Sequence, residues 1–231
     1  MRPMPTPVLH IANRNYSSWS LRPWVLMREL AIPFEERLVP FAPPDRPNPF
    51  LAFSPTGKVP CLVDDGVVVW DSLAIVERLA ERRPDVWPRD PGARAWARSA
   101  AAEMHSGFPT LRDVCSMNCG VRVRLREVSP ALARECARLD ALWGEGLERF
   151  GGPFLAGSLF TAVDAFYAPV AFRVRTYSPP LAPRSLEYVE RLLALPSMRE
   201  WYEAGLAETW RDAAHEADLA RAGTVVEDLR R

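Results

Sequence analysis

The sequence predicts two domains, a small α/β unit followed by an all-helical bundle. Three observations predict it. The 231 residues exceed one typical domain of ~100–200 residues and leave room for two small ones. Up to position 84, short apolar runs of strand length alternate with helical spacing. After a proline-rich stretch over 85–91, the longer segments repeat their apolar residues at helical period to the end of the chain. Residues 1–84 therefore form the α/β domain, 85–91 the linker and 92–231 the helical domain. With 48% hydrophobic and 25% charged residues, the chain can build a core.

Taken in order, residues 8–12 form a strand that ends in Asn13-Arg14-Asn15. Leu21, Trp24, Val25 and Leu30 mark a helix over 20–30, with Ser17, Ser18 or Ser20 as its N-cap. Residues 34–39 are a second strand. The runs 59–63 and 67–70 flank Asp64-Asp65-Gly66, a strong hairpin signal. A helix over 72–79 follows, capped by Asp71 or Ser72. In the second domain helices are expected over 93–117, 130–150, 161–175, 184–195 and 197–209, separated by proline-containing breaks. The charged tail 211–231 reads as a solvated helix or a frayed end.

Composition excludes several function classes. The 29 basic and 29 acidic residues cancel, which leaves no basic footprint for nucleic acid or an anionic membrane. Lys58 is the only lysine. No stretch approaches the roughly 20 apolar residues of a membrane span. The start, with Pro3, Pro5 and Pro7, lacks the apolar run of a signal peptide, so a cytoplasmic location is expected. Cys61, Cys115, Cys119 and Cys136 make neither a disulfide framework nor a C-x-x-C pair.

Four stretches carry chemistry. Tyr16-Ser17-Ser18-Trp19-Ser20 places hydroxyls at a strand-to-helix turn, where the helix dipole stabilises a thiolate or carboxylate; the same serines also serve as plain caps. Gly57-Lys58-Val59-Pro60 enters a strand through a proline, the arrangement that turns backbone outward for a ligand if the bond is cis. Asp71-Ser72 opens a helix, so its hydroxyl and N–H groups suit a carboxylate and its acid an ammonium; the bland reading is again an N-cap. Thr161-x-x-Asp164 is a capping box, and here the structural role is preferred.

In their order and spacing these four motifs resemble the cytosolic glutathione transferase family, over nearly the whole chain from about residue 8 to 209. Ser17-Ser18-Trp19-Ser20 is most similar to the Ser-Ser-Cys-Ser signature of the zeta class, which includes maleylacetoacetate isomerases. The resemblance implies a thioredoxin-like first domain that binds glutathione and a helical domain that holds a hydrophobic electrophile. It implies that Ser17, with Ser18 beside it, holds the glutathione thiolate. Val59, before a cis Pro60, pairs with the cysteinyl backbone, Lys58 faces the glycine carboxylate, and Asp71 and Ser72 take the γ-glutamyl end. It further implies a homodimer and a detoxifying conjugation. Glutathione-dependent isomerisation and glutathione binding without catalysis are the alternatives. Two departures bear on this: Trp19 replaces the signature cysteine, and Leu21-Arg22-Pro23-Trp24 replaces Trp-Arg-Val-Arg.

Trp19, His105 and Arg112 are candidates for the electrophile side, with Asn118 near them. Cys115 and Cys119, four apart on an expected helix face, suit burial better than metal binding. His10 reads as structural, His215 as part of the solvated tail, and Trp87 and Trp96 as core or interface anchors.

Overall fold

A computed structural model describes residues 5–231; the start of the proline-rich N-terminus, Pro3 included, lies outside the described residues. The first domain runs β1 (Val8–Ile11), α1 (Ser18–Glu29), β2 (Glu35–Leu38), β3 (Cys61–Asp64), β4 (Val67–Trp70) and α2 (Ser72–Ala80). Its sheet has the order β2-β1-β3-β4, with β1 parallel to β2 and antiparallel to β3. The hairpin signal is realised as a two-residue turn: Asp65 and Gly66 take φ of 53° and 77°, the left-handed pair that a twisted β3–β4 hairpin requires.

The second domain holds α3 (Pro91–Ser106), α4 (Pro109–Val114), β5 (Val121–Leu125), α5 (Pro130–Arg149), α6 (Ala162–Tyr177), α7 (Pro183–Leu193), α8 (Pro196–Ala207), α9 (Ala213–Ala222) and β6 (Gly223–Asp228). Helices α3, α4, α5, α7 and α8 each open on a proline, whose missing N–H would be unpaired there in any case. The central helix α6 is buried along almost its whole length and packs on both α1 and α3, so it joins the two domains. Its N-terminus carries the expected capping box, with Thr161 and Asp164 bonded reciprocally.

Three expectations are corrected. The single helix over 93–117 is two helices. Gly107 ends α3 where an added Cβ would meet the Glu103 carbonyl at 2.7 Å, and Phe108 turns left-handed at φ 56° before Pro109. Cys115 therefore ends α4 and Cys119 lies beyond it, so they do not share a helix face; both are buried and free. The tail is not a frayed end, although most of its residues are exposed, as a solvated helix requires. Residues of α9 pack on the body, and β6 pairs antiparallel with β5. Among the described residues, no helix is long and apolar enough to cross a membrane.

Candidate active site

One cavity of about 1010 Å³ opens between the two domains. From the first domain its wall takes the turn before α1 (Tyr16, Ser17, Ser18, Trp19), the segment entering β3 (Gly57, Lys58, Val59, Pro60) and the start of α2 (Asp71, Ser72). From the second it takes Arg112, Ser116, Met117 and Arg173, with His215 and Asp218 of α9. These motifs lie far apart in sequence and meet because β1, β3 and α2 are neighbours in one sheet-and-helix layer.

Each expected residue has a definite place. Ser17 sits at the N-cap position of α1, but its side chain makes no capping bond; its hydroxyl donates to Ser20 Oγ at 2.7 Å. Ser18 Oγ accepts from Arg173 Nη2 at 3.2 Å, which leaves its own proton free. The Val59–Pro60 peptide is cis, and Lys58 is exposed beside it. Asp71 caps α2, accepting the Leu73 N–H at 2.8 Å, and holds a left-handed φ of 74°. Ser72 is fully buried, and Arg22 Nη1 donates to its oxygen at 3.3 Å.

His105 and Asn118 are not cavity-wall residues. His105 packs behind Trp19, edge to face at 5.1 Å between ring centres, with Nε2 3.6 Å from Asp71 Oδ2. Burial pushes the His105 pKa below its usual value, and the guanidinium groups of Arg22 and Arg112 push the same way against the pull of Asp71. At neutral pH the contact is therefore a polar one rather than an ion pair. An NMR titration should find its midpoint below 6.5. Between that midpoint and 6.5 the unfolded chain binds the extra proton, so this group's contribution to stability falls as pH drops through the window. A midpoint at or above 6.5 would contradict the placement. Asn118 is buried, its Oδ1 taking the Gly120 N–H and its carbonyl the Thr176 hydroxyl.

The residues that sequence reasoning missed are basic. Arg22 is 2% exposed and lies over the Trp19 ring at 4.0 Å and the Phe166 ring at 4.9 Å. Arg173 is 4% exposed and donates to the Cys115 and Arg112 carbonyls as well as to Ser18. Arg112, already expected on the electrophile side, joins them, facing Trp19 at 5.5 Å. Burial lowers the pKa of Arg22 to about 9 and that of Arg173 to about 10, and Arg112 is lowered by burial too. Among the described residues no carboxylate forms a salt bridge with any of the three, and the Nε atoms of Arg22 and Arg173 have no partner. One signal was present in the sequence: Arg173 interrupts an otherwise apolar run on α6.

Comparison with known proteins decides the family. The profile described as the N-terminal domain of glutathione S-transferase matches residues 16–82, and that of the C-terminal domain matches 94–204. The chain belongs to the glutathione S-transferase family. Its first domain is accordingly a thioredoxin-like unit with a mixed sheet, and its second the family's helical domain. It is 27% identical to a probable maleylacetoacetate isomerase of Caenorhabditis elegans, over 77% of this chain and 83% of that one. It is 29% identical to glutathione S-transferase DHAR2 of Arabidopsis thaliana, over 80% of this chain and 81% of that one. Among solved structures, a glutathione transferase homolog from Burkholderia gl BGR1, determined with bound glutathione, matches at TM-score 0.65 and 25% identity, covering 87% of this chain and 98% of that one.

Proposed function

We propose that the chain is a glutathione transferase that binds glutathione along the first domain and presents its thiolate to an electrophile held against the second. The supporting observation is the single cavity wall on which the α1 turn, the cis Val59–Pro60 segment and the α2 N-terminus meet. The donor set suits the tripeptide. Ser72 and the unpaired first-turn N–H groups of α2 suit the γ-glutamyl carboxylate, and Asp71 Oδ2, which among the described residues holds no hydrogen bond closer than the 3.6 Å approach of His105, suits the ammonium. The Val59 backbone suits the cysteinyl part and Lys58 the glycine carboxylate. Glutathione is here a consumed co-substrate. Residues 1–84 and 92–231 are the two units, joined by 85–91, and the same reading includes a cytoplasmic homodimer, whose mass light scattering reports.

Titration calorimetry tests the ligand. Glutathione should bind saturably, and Ser72→Ala should weaken it by ~1 kcal/mol or more, the worth of a hydrogen bond to a charged group. No binding at several millimolar would overturn the reading.

The serines do the chemistry. A hydroxyl bonded to the thiolate and the α1 N-terminus lower the thiol pKa from ~8.5. Ser17 is the proposed donor, with Ser18 polarised by Arg173 beside it. Ser17→Ala should raise the pKa of bound glutathione by roughly one to two units. The more basic thiolate is a better nucleophile, with β ≈ 0.4–0.5, so the rate below that pKa should fall only about three- to tenfold. Ser20→Ala removes the acceptor that holds the Ser17 proton and should shift the thiol pKa downward instead. Thiolate absorbance against pH reads both variants, and shifts of the same sign would refute the assignment.

A second reading is favoured by one observation. Arg112 and Arg173 offer cations to the acceptor side with no carboxylate partner, and maleylacetoacetate carries carboxylates. Glutathione-dependent cis–trans isomerisation would leave glutathione unconsumed, so thiol loss during turnover separates it from conjugation. Binding without turnover on both would leave only glutathione binding.

A further inference from the structure

A histidine on the cavity wall, His215, and the aspartate bonded to it, Asp212, have a chemistry that no role above uses. Asp212 caps α9, and its Oδ2 accepts the backbone N–H of His215 at 3.1 Å and lies 2.6 Å from His215 Nδ1. A carboxylate accepts and does not donate, so the proton that stays on the ring is the one on Nδ1, and Nε2 is the nitrogen that exchanges protons. Among the described residues no group bonds to that Nε2. The ring stacks on Tyr16 at 4.9 Å and leans on Phe41 at 5.3 Å, so its plane is fixed. Tyr16 immediately precedes Ser17, and all four residues Tyr16, Ser17, Phe41 and His215 line the cavity. Helix α9 is itself pinned. The Tyr16 hydroxyl donates to Glu216 at 2.7 Å, Arg230 pairs with Glu216 and Asp228, and β6 is hydrogen-bonded to β5. A tail held this firmly, with an oriented imidazole open to the cavity, is built as part of the site.

We propose that His215, positioned by Asp212, is the proton donor to the acceptor. The cavity would thereby favour α,β-unsaturated carbonyl acceptors over those that expel an anion. The proposal rests on the transferase reading. In the step, the thiolate sulfur forms a bond to the β-carbon and the π pair moves onto the carbonyl as an enolate. The proton on His215 Nε2 passes to the α-carbon and the carbonyl re-forms, leaving neutral imidazole with its remaining proton directed at Asp212. Solvent returns one proton to the ring, which balances the one glutathione released on ionising. A chloronitrobenzene loses chloride and needs no such proton.

The test compares wild type, His215→Gln and Asp212→Asn with glutathione, using a phenyl-substituted butenone and a chlorodinitrobenzene as acceptors. General acid catalysis is worth roughly 10²–10⁴-fold, so His215→Gln should lower kcat/KM for the enone at least about tenfold more than for the chloroarene. Asp212→Asn keeps an oxygen for the helix cap and should act in the same direction, through kcat rather than KM. The ratio between acceptors is independent of how much variant is folded. Equal losses on both acceptors, or none, would overturn the proposal while wild-type conjugation keeps the transferase reading. A wild type that conjugates neither acceptor would overturn both.

Discussion

Replacing Asp164 with alanine should lower the unfolding free energy by about 3 kcal/mol. Asp164 is fully buried at the head of α6. Its Oδ1 accepts the Leu155 N–H at 3.0 Å and the Tyr188 hydroxyl at 2.9 Å, and its Oδ2 accepts the Thr161 N–H at 3.0 Å. Alanine leaves those three buried donors without a partner, at roughly 1–3 kcal/mol each. Against this, burial pushes the carboxyl pKa up to about 6, so the substitution also removes a desolvated charge worth roughly 3 kcal/mol. The donors outnumber the charge, and the balance stays destabilising. For a chain of this size the midpoint of thermal unfolding should drop by about 6–12 °C. A shift under 2 °C would mean that water replaces the carboxylate and that α6 does not depend on its cap.

Features fixed by neighbours in sequence were legible before the structure. The Asp65-Gly66 turn and the Thr161–Asp164 box depend on a few adjacent residues, and both form as read. The fold class was legible too, because the switch from strand-length runs to helical period is a property of whole segments. The break at Gly107-Phe108 was not, since Phe108 takes a left-handed φ that its residue type disfavours and that packing must impose. Nor was the β5–β6 ribbon, whose strands lie about a hundred residues apart and are short, charged and exposed along one edge. The site divides the same way. Ser17, Lys58, Val59, Asp71 and Ser72 stand in recognisable local motifs. Arg173 and His215 reach the cavity wall only when α6 and α9 are brought to it, and Arg22 backs that wall through the Trp19 ring. A buried arginine looks in sequence like any other, and His215 sits in a stretch whose charge alone suggested solvent.

Arg173→Met should separate stability from function more sharply than any other change. Burial lowers the guanidinium pKa from 12.5 to about 10, so holding this charge inside costs roughly 3 kcal/mol relative to the unfolded chain. Its hydrogen bonds to the Cys115 and Arg112 carbonyls and to Ser18 return a similar amount, at roughly 1 kcal/mol net each. Methionine fills much of the same volume and carries no charge, so unfolding in urea should change by no more than about 1 kcal/mol. A cation that stabilises so little yet stays buried between the domains is expected to act on what enters the cavity. Without it, an acceptor bearing a carboxylate loses a charge-assisted partner of roughly 1.5–3 kcal/mol, and kcat/KM for that acceptor should fall by about ten- to a hundredfold. Ser18 also loses its donor, so an uncharged acceptor should slow as well, by a smaller factor. If both acceptors slow equally, Arg173 serves only to polarise Ser18. If the variant unfolds several kcal/mol more easily, the arginine is structural, and the two carbonyls it ties together at the end of α4 are the reason it is there.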